Sequence, residues 1–148
     1  METKNKLEQA VKDALKAGDE LRKRTVRHTL AAIKQVEIDL QSPLDETAVL
    51  GIIQKEIKNR REALEEAQRA NRQDLIASAE AEIGVLNDFL PKAMDPEELK
   101  ELVEAAIAEA GAASLKDMGK VMKLVLPQVA GRAPGDQISA LVQQLLSG

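Results

Sequence analysis

The 148-residue chain has no cysteine, no tryptophan and no tyrosine, and its one phenylalanine is Phe89. The missing thiols exclude disulfides, zinc–thiolate and iron–sulfur centres and a cysteine nucleophile, and they permit a reducing compartment. The missing aromatics remove the platforms on which single-stranded bases usually stack, so a nucleic acid bound here is read through backbone and shape, as folded RNA is. No stretch is long and apolar enough to cross a bilayer. The opening METKNKLEQAVKDALKAGDEL mixes acids with lysines and has no continuous apolar segment. It therefore fits neither a secretory signal nor a transit peptide, and a soluble cytoplasmic protein with no membrane partner is the expectation.

Charge is present but unevenly spread. The formal net charge is −4. Residues 1–72 carry 15 basic and 13 acidic side chains, residues 73–111 carry 2 and 10, and residues 112–148 carry 4 and 2, or +2, −8 and +2 in turn. A polyanion meets an unfavourable average field, so it needs a local basic surface turned away from the acidic middle.

Apolar residues recur with helical spacing almost everywhere, and β-type alternation is scarce. Leu7, Val11, Ala14 and Leu15 form a first stripe that Gly18 ends. Asp19 caps a second helix with Val26, Thr29, Ile33, Val36 and Leu40 on its apolar face, broken by Gln41-Ser42-Pro43. Asp45 is the N-cap of a third helix, with Leu44 and Val49 as a hydrophobic staple, and Asn71 marks its end. A fourth carries Ile76, Ala79, Ile83, Leu86 and Leu90 up to Pro91. In LPKAMDPEEL, residues 90–99, Asp95 is an N-cap, Pro96 the first helical residue and Glu98 the partner that completes a capping box. The fifth helix buries Leu99, Leu102, Val103, Ala106, Ile107 and Ala110 and stops at Gly111. Ser114 with Asp117 starts a sixth, and Ile138, Leu141, Val142 and Leu145 lie on a seventh. The expectation is an all-α, multihelical chain of two subdomains, a four-helix one over residues 1–92 and a three-helix one over residues 93–148.

The sixth helix, in DMGKVMKLVLPQVAGRAP, is two-faced: Met118, Val121, Met122, Val125 and Val129 fall on one side, Lys116, Lys120 and Lys123 on the other. The methionines read as flexible core filling. Glycine costs about 1 kcal/mol against alanine inside a helix, so Gly119 suggests that something needs the room, first of all a packed neighbour. The lysine row, with Arg132 beyond it, reads either as a phosphate-contacting surface or as an ordinary solvated helix face. GKVMK lacks the long glycine-flanked loop and the Ser/Thr of a P-loop. Lys23, Arg27 and Lys34 gather beside the apolar stripe of the second helix as a secondary basic patch, whereas Lys58, Arg60 and Arg61 are bracketed by Glu56 and Glu62 and read as intrahelical pairs. His28 has no ligand spacing around it and reads as a structural residue. No catalytic residue, metal ligand set or cofactor is expected.

Four stretches, DMGKVMKLVLPQVAGRAPG, FLPKAMDPEEL, VLGIIQKEIKNRREALEEAQRANRQDL and TVRHTLAAIKQVEID, together resemble the YqeY family, stand-alone relatives of the tail of GatB, the B subunit of the aspartyl/glutamyl-tRNA amidotransferase. The resemblance spans essentially the whole chain and is most specific from Lys116 to Gly135. It implies an all-helical, two-subdomain fold and, since the GatB tail helps hold tRNA, a non-catalytic module that binds tRNA or an aminoacyl-tRNA-handling complex. The glycine-plus-base positions carried over are Gly119, Lys120, Gly131 and Arg132, which with Lys116 and Lys123 make the candidate RNA-binding set. The family supplies no catalytic residues. Pro134 stands where the family commonly has Asp, and proline cannot cap through its side chain, so the last helix is expected to begin with Pro134 in its first turn. Two other readings remain: an amidotransferase-associated enzyme, a carbon–nitrogen ligase with glutamine as amido donor, and an adapter whose basic surface meets an acidic protein.

Overall fold

A computed structural model describes residues 2–147 as seven α-helices: α1 (Thr3–Ala17), α2 (Glu20–Leu40), α3 (Glu46–Arg69), α4 (Gln73–Asn87), α5 (Pro96–Ala110), α6 (Met118–Val129) and α7 (Gly135–Ser147). A single 3₁₀ turn, Leu115–Asp117, leads into α6, and no strand is present among the described residues. The chain divides into two compact units, one ending at Leu90 and the other beginning at Pro91.

Local chemistry sets the helix ends. Asp19, Asp45 and Asp95 each accept a backbone N–H of the first turn, from Arg22, Ala48 and Glu97, and Pro96 occupies the first turn where its missing donor costs nothing. Gly18 and Gly111 adopt the left-handed conformation that closes α1 and α5. Asn71 does the same just past α3 at φ 55°, which a short polar side chain tolerates.

In the first unit, Leu7, Ala10, Val26, Ile33, Val49, Leu50, Ile53, Ile57 and Leu86 form the core. The buried hydroxyls of Thr25 and Thr29 donate to the carbonyls of Leu21 and Thr25, so neither is stranded. The edges of two expected stripes fall elsewhere. Leu15 and Leu40 are 60% and 62% exposed: Leu15 lies about 100° round α1 from the buried Ala14, on the flank of the stripe Thr3, Leu7, Ala10 and Ala14, and Leu40 is the last residue of α2. Thr3 and Ala10 take the inward positions on α1. Thr3 is held by the Glu46 carboxylate, which accepts from its backbone N–H and its hydroxyl.

An ionic layer crosses α2, α3 and α4. Glu56, buried on α3, accepts from Arg60 at 2.7 Å, and His28 Nε2 lies 3.4 Å from the same carboxylate. Arg60 also faces Glu82 at 3.4 Å, and Arg24 approaches Glu82 at 3.7 Å. Arg60, Glu56 and Glu82 have side chains only 13%, 11% and 21% exposed, so removing Arg60 would strand charge in a largely desolvated place, and the layer helps fix which helix faces meet.

The second unit closes α5, α6 and α7 around Leu99, Val103, Ala106, Val121, Val125, Val129, Ile138 and Val142, with Met94 and Ala133 at its edge. Three expectations change here. Glu98 does not complete a capping box; its carboxylate is taken by Arg132. The Ser114–Asp117 exchange caps the 3₁₀ turn before α6 instead of α6 itself, with Ser114 accepting from Lys116 N–H and Asp117 from Ala113 N–H. Pro134 stands one residue before α7, its carbonyl accepting from Ile138 N–H, so proline supplies the first acceptor of α7 from outside the helix.

Replacing the fully buried Ile53 by alanine is expected to lower unfolding free energy by about 2–5 kcal/mol, whereas Leu15→Ala should stay within about 0.5 kcal/mol of wild type; urea denaturation distinguishes the two. Glu37 accepts from Lys4 Nζ at 2.8 Å and from Leu44 N–H at 2.9 Å, and these bonds, Lys4 first, hold its carboxyl below the ordinary glutamate value. A depressed folded-state value stabilises above the unfolded value and loses that stabilisation as pH falls through the folded one. Glu37→Gln should therefore flatten the acid limb of a melting-temperature profile while changing its shape little near neutrality.

Candidate nucleic-acid interface

The α6 region has the two faces that its spacing predicts. Val121, Val125 and Val129 are buried, with Met118, Met122 and Leu124 packed at the margin of the core, while Lys116, Gly119, Lys120 and Lys123 are exposed. Lys120 and Lys123, three residues apart on α6, share a side, and Lys116 lies in the 3₁₀ turn just before it. No carboxylate among the described residues lies within ion-pair distance of these three ammonium groups. The nearest acid in sequence, Asp117, is turned to the Ala113 N–H.

Gly119 departs from the packing role its position suggested. A Cβ built there meets nothing within 4 Å, so no neighbouring helix uses the room. The glycine leaves a bare stretch of backbone between the lysines. Pro127, also exposed, lies four residues past Lys123 and has no N–H, so the Lys123 carbonyl lacks its usual helical donor.

Gly131 and Arg132 lie in the turn after α6. Ala130 and Gly131 are both left-handed, at φ 49° and 79°, and that reversal is a backbone reason for glycine at 131. Arg132 makes a bidentate pair with Glu98 at 3.0 and 3.1 Å, and its Nε donates to the Lys92 carbonyl at 3.0 Å. Its own carbonyl accepts from Met94 N–H at 2.8 Å. The residue thus fastens segment 92–98 to the α6–α7 turn, and its planar fork is already occupied. The lysines offer free charge; the arginine does not.

The secondary basic patch of the first unit is thinned in a similar way. Lys23 pairs with Glu20 at 3.0 Å and its side chain is only 17% exposed. Arg27 and Lys34 remain exposed on α2, seven residues and roughly 10 Å apart. Arg22 pairs with Asp88 and lies over the Phe89 ring at 5.3 Å. His28 is exposed apart from its contact with Glu56, and no group of three His, Asp or Glu residues among the described residues is placed to hold a metal. Shallow grooves of about 410 Å³ between α3 and α4 and about 380 Å³ between α5 and α7 are lined by no residue of α6.

Comparison with known proteins supplies the family. Residues 4–146 match the family model described as Yqey-like protein. The chain is 40% identical over 85 residues to altered inheritance of mitochondria protein 41, mitochondrial, of Lachancea thermotolerans, covering 57% of this chain and 46% of that protein. The protein of the same name from Vanderwaltozyma polyspora is 35% identical over 102 residues, 66% of this chain and 55% of that one. The one from Pyrenophora tritici-repentis is 26% identical over 144 residues, 95% and 79%. The chain thus spans about half the length of the first two relatives. Their names place those relatives in mitochondria, where the sequence led to the expectation of a cytoplasmic protein. A match that runs through all seven helices leaves neither unit outside it: the chain belongs to the Yqey-like protein family.

Proposed function

We propose that the chain is a non-catalytic helical module that binds folded RNA, tRNA in particular, with Lys116, Lys120 and Lys123 as its phosphate contacts. The observation that carries this reading is the lysine row itself: three exposed ammonium groups, free of carboxylates, around the bare backbone of Gly119. Point charges on flexible stems suit phosphate oxygens at varied positions, and open backbone lets a ribose–phosphate strand come close. A single aromatic residue leaves shape and backbone as the features to be read. The acidic stretch 73–111 opposes the approach of a polyanion, and the lysine row lies outside that stretch of the sequence. Resemblance to the tRNA-holding tail of GatB adds to the case. Arg132 stands outside the contact set, because binding RNA would require it to leave Glu98. A mitochondrial setting, as in the relatives' names, suits the same chemistry as a cytoplasmic one.

Binding to folded tRNA is expected to weaken roughly 20- to 40-fold between about 50 and 200 mM salt if three phosphates are contacted. Lys120→Glu should lower affinity and reduce the salt slope by roughly 0.7–0.9. Arg132→Ala should leave the slope unchanged and instead lower the stability of the fold, by about 0.5–1 kcal/mol for a pair this exposed. Fluorescence anisotropy with labelled tRNA reads the first two effects and thermal melting the third; equal affinity of wild type and Lys120→Glu would remove the assigned surface. Ammonia release from glutamine in the presence of ATP and misacylated tRNA would instead support the amidotransferase-associated enzyme.

A further inference from the structure

The second unit carries two charged rows of opposite sign that no ion pair among its described residues neutralises. On α5, Glu97, Glu101 and Glu104 are exposed and follow one another at intervals of four and three residues, so they share one face of the helix. Lys116, Lys120 and Lys123 follow one another at the same intervals. Neither row has an ion-pair partner among the described residues; Lys100 borders the acidic row without pairing to it. Each row is roughly 10 Å long, and its middle member, Glu101 or Lys120, falls at its centre in whichever direction the rows are aligned. α5 and α6 pack against each other through a shared core that includes Val103, Ala106, Val121 and Val125. Their outward rows therefore cannot meet inside one molecule without dismantling that core.

We infer that this unit docks on a second copy of the chain, the acidic face of α5 in each copy against the lysine face of α6 in the other. A two-fold axis that sets α5 of one copy against α6 of the other brings the reciprocal pair together as well, as a self-complementary interface requires. Apolar surface lies beside both rows. Leu115 and Leu126 are 47% and 39% exposed near the lysines, and Ala105 and Ala108 are exposed near the glutamates. That surface matters because exposed ion pairs hold little by themselves and are screened by salt. The result is a weak, salt-sensitive dimer. It also gives the lysine row two competing occupants, a consequence that rests on the RNA reading above, while the dimer itself does not.

Sedimentation equilibrium of the full chain from about 5 to 500 µM, at about 50 and 500 mM salt, tests this. The expected result is a mass approaching twice that of the monomer at low salt and returning toward the monomer at high salt. Glu101→Lys and Lys120→Glu should each weaken self-association by about tenfold or more, since each homodimer then sets like charges opposite one another twice. Mixed in equal amounts, the two variants should associate as wild type does, because every contact in the mixed pair again joins opposite charges; this rescue also shows that both are folded. A monomer under all conditions, or a mixture no better than its separate components, overturns the inference. Glu101→Lys keeps all three lysines, so its tRNA affinity should equal or exceed that of wild type. A wild-type chain that binds tRNA but stays monomeric thus sinks the dimer alone, and a dimer that binds no tRNA sinks the RNA reading alone.

Discussion

Burial of aliphatic side chains along one side of each helix is the constraint on which the rest of the molecule depends. The longest helix has 24 residues and most have 12 to 15, lengths at which an isolated helix in water is marginal. Each is held by its neighbours. With one aromatic side chain in the chain, the two cores are filled mainly by leucine, isoleucine, valine and alanine, with methionine in the second, and close packing of these side chains defines which faces meet.

Once the apolar sides are turned inward, the charged sides sort into groups with different fates. Glu56, Arg60 and Glu82 are drawn into a partly buried ionic layer where each has a partner. Glu98 and Arg132 are spent on fastening the entry of the second unit to its α6–α7 turn. What is left unpaired among the described residues includes the lysine row at the start of α6 and the glutamate row of α5. Free charge of one sign on an exposed face interacts with other molecules more than it supports its own fold. Both the RNA reading and the self-association use these leftover rows.

Most helix ends were legible in the sequence because capping is local chemistry. Asp19, Asp45 and Asp95 act within three residues of themselves, and Gly18 and Gly111 act on their own backbone. Leu15 was misjudged because the inward stripe of α1 is centred on Thr3, Leu7, Ala10 and Ala14, and a threonine and two alanines mark a buried face less clearly in a sequence than a leucine does. The capping role expected of Glu98 failed for a similar reason. Its competitor, Arg132, is 34 residues away in sequence, and a bidentate charged pair outweighs a single bond to a backbone N–H.

The sequence by itself determined the helical class, the helix that carries both valine core and lysine row, and the absence of thiol and stacking chemistry, since these follow from residue type and a repeat of 3.6. Tertiary structure alone decided which charges are available. It took Arg132 and Lys23 into ion pairs, left Lys116, Lys120 and Lys123 without one, and placed open space over Gly119 where a packed neighbour was expected. The physical reason is that pairing and exposure depend on distances between helices, and those distances are fixed by cores whose members lie tens of residues apart in the chain.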